Sequence, residues 1–81
     1  MSVLKGGNFM FIVSEIQTNN GTSAVLTDVF TDESLANQKY YTILAYATVS
    51  DIDVHAAAMF NEYGGMLKND CFIHNSTPTQ E

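Results

Sequence analysis

The 81-residue chain contains no arginine, and its lysines (Lys5, Lys39 and Lys68) are outnumbered by nine acidic residues, which gives a formal net charge of -6. Binding to duplex nucleic acid depends on several cationic contacts with phosphates, and three scattered lysines do not supply them. The guanidinium fork that holds a carboxylate or phosphate through two parallel hydrogen bonds is missing. We therefore expect neither a duplex nucleic acid nor an anionic membrane as a partner.

Cysteine and long apolar runs are equally scarce. Cys71 is the single cysteine, so no disulfide can form within one chain. No apolar stretch approaches the ~18 residues of a membrane-spanning helix, and no cleavage site of the secretory kind follows the first residues. The sequence predicts a cytoplasmic protein, and we expect it to use no cofactor and no metal.

Apolar side chains, by contrast, are abundant. Hydrophobic residues make up 46% of the chain and charged residues 15%. A domain of this size buries only about 60–65% of the surface that its unfolded chain exposes. Because one copy cannot shelter all of its apolar surface, we expect a homo-oligomer.

The order of sequence patterns predicts an α+β domain over residues 10–75, with an N-terminal extension over 1–9 and a disordered tail over 76–81. "MFIVSEIQT" is typical of a strand, "NNG" of a tight turn, and "TSAVLTDVF" of a returning strand. "DIDVHAAAMF" and "MLKNDCFIH" predict a second hairpin, joined by "NEYGG". The resulting ββαββ arrangement is a four-stranded antiparallel sheet with one helix on one face.

The segment between the hairpins, "TDESLANQKYYTILAYATVS", has a helical pattern, and Thr31 or Asp32 is suited to cap it. At about 100° per residue, two opposite faces are apolar. One collects Ala36, Tyr40, Ile43 and Ala47, with Leu44 at its edge, and the other collects Tyr41, Ala45 and Val49. We expect the sheet to cover the first face and a partner to cover the second.

The second hairpin holds both histidines and the cysteine. If "NEYGG" is a five-residue loop, Phe60 pairs with Met66, both faces of the hairpin carry apolar side chains, and His55 lies opposite Cys71. A thiol and an imidazole with Asp53 behind them indicate nucleophilic catalysis. The alternative is that Cys71 packs as a small hydrophobe while His55 hydrogen-bonds across a subunit boundary. No glycine-rich nucleophile turn or oxyanion hole is evident nearby, so we expect no enzyme.

Other candidate sites are weaker. Asp51, Asp53, His55 and His74 are metal-ligating residue types, but they lack the paired spacing of a structural zinc site, and solvated acids at a turn are the alternative. Gly64 and Gly65 precede no helix with a lysine and a hydroxyl, so they predict a turn rather than a phosphate loop. For the tyrosines, packing competes with stacking on a base. The candidate ligand contacts are Tyr40, Tyr41, His55, Tyr63, Lys68 and His74.

Three segments, "FIVSEIQTNNGTSAVLTDVF", "KYYTILAYATVS" and "DVHAAAMFNEYGGMLKNDCFIH", together resemble a group of small acidic proteins encoded by phages and prophages of gut Firmicutes. The likeness covers about residues 10–75. Tyr46 and Thr48 depart from it, because the group is expected to have small residues there. The resemblance implies a viral accessory protein, and small oligomeric phage proteins of this kind often counteract bacterial immunity.

Several functions follow from these expectations. The first is a non-catalytic homo-oligomer in the bacterial host's cytoplasm that binds and sequesters a nucleotide-derived immune signal held between subunits. A second is an acidic inhibitor that occupies the nucleic-acid site of a host defence protein. A virion structural or assembly accessory is a third, and a hydrolase that uses Cys71 and His55 is a fourth.

Overall fold

The computed structural model describes residues 10–74, which form one four-stranded antiparallel sheet and one helix. Along the chain the elements are β1 (Phe11–Asn19), β2 (Thr22–Phe30), α1 (Glu33–Ala47), β3 (Val54–Asn61) and β4 (Met66–Ile73). The strand order across the sheet is β2-β1-β3-β4, so β1, the first strand in the sequence, lies in the interior of the sheet. The predicted ββαββ class is confirmed. The predicted extension over 1–9 and the predicted tail over 76–81 lie outside the described residues.

The first hairpin turns where the asparagine–glycine signal predicts it. Asn20 and Gly21 have φ values of 54° and 79°, and Asn19 pairs with Thr22 across the turn. Two consecutive positive φ angles give a turn whose twist matches that of the flanking strands. Asparagine and glycine adopt this conformation at little cost, and β2 therefore has the predicted boundaries.

The helix begins as predicted and ends earlier than predicted. Asp32 is the N-cap, and its Oδ1 accepts a hydrogen bond of 2.8 Å from the backbone N–H of Ser34. The last helical residue is Ala47, and the N–H of Val49 then bonds to the carbonyl of Tyr46 at 3.1 Å. This tighter last turn is common at helix ends.

The core lies between α1 and the two central strands. Val13 of β1 and Ala57 and Met59 of β3 pack against the predicted buried face of the helix. That face is buried at Ala36, Tyr40, Ile43 and Ala47, as the periodicity predicts. The small Ala57 side chain, 0% exposed, lies where the helix packs on the sheet.

The predicted register of the second hairpin is wrong except at its first pair. Phe60 pairs with Met66 as expected, but Met59 pairs with Lys68, because a β-bulge leaves Leu67 without an opposite residue. Beyond the bulge every residue of β3 pairs one residue later in β4 than predicted. Because alternate residues of a strand point to opposite faces, this shift places the residues of β4 on the face opposite to the predicted one. His55 therefore lies opposite Phe72, and Cys71 lies opposite Ala56.

The two faces of the sheet differ in charge. We call the face turned away from α1 the open face; it consists of even-numbered residues 12–18, odd-numbered residues 23–29, even-numbered residues 54–60, and Met66, Asn69, Cys71 and Ile73. None of these residues is charged. The charged side chains of the strands lie on the helix side, at Glu15, Asp28, Lys68 and Asp70. Within residues 10–74 there is no helix with the length and apolar character needed to cross a bilayer.

Candidate functional site

The six predicted ligand contacts fall in separate parts of the fold. Tyr40, Tyr41 and Lys68 lie together where α1 meets β4. His55 is buried between β1 and β3, and His74 lies at the C-terminal end of α1. Tyr63 is in the β3–β4 turn and is 76% exposed.

Lys68 is held on the helix side of β4 by two neutral oxygens. Its Nζ donates to Oδ1 of Asn37 at 2.6 Å and to the hydroxyl of Tyr41 at 3.1 Å. The ammonium also lies 4.7 Å from the ring centroid of Tyr41 and 5.7 Å from that of Tyr40, a distance at which a ring face attracts a cation. We call Asn37, Tyr41 and Lys68 the lysine cluster.

Tyr40 supports the lysine cluster from below. Its ring is 0% exposed and meets that of Tyr41 edge to face, with centroids 5.2 Å apart. Its hydroxyl donates to Oδ2 of Asp70 at 2.7 Å. Burial, the hydrogen bond to Asp70 and the carboxylate charge all raise the pKa of Tyr40 above its ordinary value. Tyr40 therefore stays neutral and positions its neighbour, while its own ring is closed to a ligand.

The two described lysines are in different electrostatic situations. Lys39 forms an ion pair of 3.3 Å with Asp28, whereas Lys68 forms no ion pair with a carboxylate of residues 10–74. The ring of Tyr41 is 55% exposed beside it. An ammonium without an ion-pair partner next to an exposed aromatic ring suits a ligand that has both an anionic group and a ring.

A groove on the outer side of α1 adjoins the lysine cluster. It has a volume of about 610 Å³ and is lined by Gln38, Tyr41, Thr42, Ala45, Tyr46 and Val49. Tyr46 and Val49 are 66% and 78% exposed, so the predicted second apolar face of the helix is bare in one copy. Tyr46 contributes directly to this surface.

His55 lies in a separate buried site that joins three parts of the fold. Its Nε2 donates to Oε2 of Glu15 at 2.6 Å, and its Nδ1 is 3.0 Å from the hydroxyl of Ser50. Gln17 also donates to Oε2 of Glu15, at 2.8 Å. Burial by itself would raise the pKa of Glu15, but the hydrogen bonds from His55 and Gln17 lower it below its ordinary value.

This site resembles a hydrolase triad in its sequence of contacts, hydroxyl to imidazole to carboxylate. However, His55 is 3% exposed, so the imidazole is closed to a substrate. The contacts tie β3 to β1 and to the segment after α1. The predicted pairing of His55 with Cys71 is wrong, because His55 faces α1 while Cys71 is exposed on the open face.

His74 and Asp53 fasten the end of the second hairpin. His74 donates from Nε2 to the carbonyl oxygen of Ala47, and its ring stacks on Phe72 with centroids 6.5 Å apart. Oδ2 of Asp53 accepts from the N–H of Asn20 at 3.0 Å. The N–H of His74 also bonds to the carbonyl of Asp53 at 2.8 Å. Residues 10–74, which include the candidate metal ligands Asp51, Asp53, His55 and His74, contain no group of three or more His, Cys, Asp or Glu side chains placed to hold a metal ion.

The sequence does not reveal the hydrogen-bond partners of the candidate residues His55 and Lys68, which are Glu15, Ser50 and Asn37. Glu15 is the only charged residue in β1, and a charge inside an apolar strand signals a buried partner once β1 is known to lie beside β3. Asn37 and Ser50 gave no such signal, because their contacts depend on tertiary packing. No protein-family model, curated protein or solved structure matches the chain, so its own residues are the basis for a functional argument.

Proposed function

We propose that this chain is a non-catalytic, homo-oligomeric binding protein that sequesters a nucleotide-derived ligand. The resemblance to the phage group suggests that the ligand is an immune signal of a bacterial host and that binding takes place in the host's cytoplasm. The oligomer accounts for the exposed apolar side chains of the open face. The lysine cluster accounts for the ligand.

The observation that carries this proposal is the position of Lys68. Its ammonium is ordered by the side chains of Asn37 and Tyr41, and no carboxylate of residues 10–74 forms an ion pair with it. A phosphate within reach of Nζ would form a charge-assisted hydrogen bond. The exposed ring of Tyr41 offers a face on which a base can stack.

The acidic side chains favour this role over that of a nucleic-acid mimic. A mimic requires free carboxylates clustered on one surface. Here Asp28 is paired with Lys39, Glu62 accepts from the N–H of Met10 at 2.8 Å, and Asp70 accepts from Tyr40. These carboxylates lie on β2, in the β3–β4 turn and on β4, so they are spread over several elements.

Calorimetric titration with cyclic dinucleotides, cyclic trinucleotides and ADP-ribose tests the proposal. We expect at least one of these compounds to bind, and the Lys68→Gln variant to bind it about 10–100-fold more weakly, which corresponds to the loss of one hydrogen bond to a charged group. Lys39→Gln is the matched control, because it removes the same charge from α1 without touching the lysine cluster.

Two outcomes would contradict the proposal. The first is the absence of heat with all three classes of compound at micromolar protein. The second is equal weakening by Lys68→Gln and Lys39→Gln, which would indicate that only the net charge matters and that no built site exists.

A further inference from the structure

The open face of the sheet carries no charged side chain and leaves several apolar side chains exposed in the described fold. We infer that a second copy of this chain docks on it, sheet against sheet, to form a sandwich of two sheets. The inference rests on the self-association proposed above and specifies the surface and its occupant. It does not depend on the ligand, since the lysine cluster lies on the other side of the sheet.

The charged residues of the strands are distributed unevenly between the two faces of the sheet. An antiparallel sheet with one solvated face normally places its polar residues on that face and its apolar residues beneath the helix. In this sheet all the charged residues of the strands are on the helix side and none is on the open face. Several large side chains of the open face are nevertheless exposed, namely Val25 at 60%, Val29 at 56%, Met66 at 58% and Ile73 at 63%.

The net charge favours the open face as the surface on which a second copy docks. A chain with a net charge of -6 repels its own copies over most of its surface. Like charges placed directly opposite each other destabilise a contact. Because the open face has no charged side chain, it can meet its own image without this repulsion.

The open face is large enough to form an interface between two copies. Four strands spaced ~4.8 Å apart, each of eight or nine residues rising ~3.3 Å, cover about 500 Å² in projection. Two such faces contribute about 1,000 Å², which reaches the lower bound for a specific interface between proteins. Stacked sheets separated by ~10 Å are the ordinary way to close two faces of this kind.

A pair of variants on β2 tests the inference by sedimentation. Val25 and Leu26 are neighbours with similar exposure, 60% and 57%, but Val25 lies on the open face and Leu26 on the helix side. We expect the wild type and Leu26→Lys to sediment at twice the 8.9 kDa mass of the chain. Val25→Lys should dissociate at protein concentrations at least tenfold higher, because docking would bury two unpaired ammonium groups.

The single cysteine provides a readout that needs no variant. Cys71 is exposed in one copy and lies on the open face, so a second copy covers it. We expect its reaction with a thiol reagent to slow as the protein concentration rises through the dimerisation range. Circular dichroism of both lysine variants checks that each is folded, and Val29→Lys replaces Val25→Lys if the latter unfolds.

Three results would overturn the inference. A monomer with reactive Cys71 at every concentration would mean that the open face serves a different protein. A monomer with protected Cys71 would mean that residues 1–9 or 75–81 cover the face. A dimer equally weakened by Val25→Lys and Leu26→Lys would place the interface elsewhere. Because sedimentation is measured without ligand, it can fail while the titration succeeds, and the reverse also holds.

Discussion

Replacing Tyr40 with phenylalanine separates the packing of its ring from the hydrogen bond of its hydroxyl. The ring is 0% exposed in the core, and Phe preserves it. The variant loses the 2.7 Å hydrogen bond to Asp70. Hydrogen bonds to charged groups contribute about 1.5–3 kcal/mol, and we expect the lower end, about 1.5 kcal/mol, because Asp70 is exposed and its carboxylate regains water.

The alkaline pH dependence of this loss is the sharper expectation. The pKa of Tyr40 is raised above its ordinary value of 10.0, so the folded state retains the phenol proton when the unfolded chain has released it. The stabilisation is therefore complete below pH 10 and declines as the pH rises further. At one pH unit above the pKa of the unfolded chain, the free energy of unfolding is lower by about 1.4 kcal/mol. Near pH 11 the wild type and Tyr40→Phe should therefore be almost equally stable.

Urea unfolding followed by circular dichroism at pH 7, 9 and 11, at one protein concentration, measures both quantities. The control is Tyr41→Phe, since the ring of Tyr41 is 55% exposed. At neutral pH the Tyr40→Phe difference corresponds to a lowering of Tm by about 6–12 °C in a domain of this size. A difference between wild type and Tyr40→Phe that stays constant from pH 7 to 11 would refute the reasoning.

Three further substitutions test other contacts. Glu15→Gln should make the free energy of unfolding depend less on pH in the acid range. The lowered pKa of Glu15 stabilises the fold above its ordinary value of 4.5, and this stabilisation is lost as the pH falls through the pKa of the folded state. Urea unfolding at pH 3–6 measures this, and an equal pH dependence in wild type and variant would contradict it. Ile43→Ala, in the core at 3% exposure, should cost about 3 kcal/mol in free energy of unfolding, and Leu35→Ala at 50% exposure is its control. Gly64→Ala should lower the free energy of unfolding by about 1 kcal/mol through its φ of +85° alone, since no atom crowds the added carbon, and an unchanged urea midpoint would exclude this.

The elements that the sequence predicts well are those with local signals. Asp32 caps α1 through a bond to the residue two positions later, and the buried face of α1 follows from its own periodicity. The turn at Asn20 and Gly21 likewise depends on neighbouring residues. Such features are set within a few residues, so a single sequence contains them.

The parts that escaped prediction depend on contacts between distant segments. The bulge at Leu67 is the clearest case, because one extra residue in β4 moved Cys71 to the face opposite His55. The bond between Glu15 and His55 likewise requires β1 to lie beside β3, which no local pattern specifies. The lysine cluster was half predicted: Tyr41 and Lys68 were candidates, whereas Asn37 entered only through tertiary packing.

The interior position of β1 has a consequence for synthesis of the protein. β1 is synthesised directly before its hairpin partner β2, but its other edge pairs with β3, and Val13 meets Met59 only after α1 and β3 have also been synthesised. Until then the nascent chain exposes a row of bare backbone donors and acceptors that invites pairing with neighbouring chains. Formation of the first hairpin therefore does not protect this fold from aggregation, because the second edge of β1 stays unpaired until β3 docks on it.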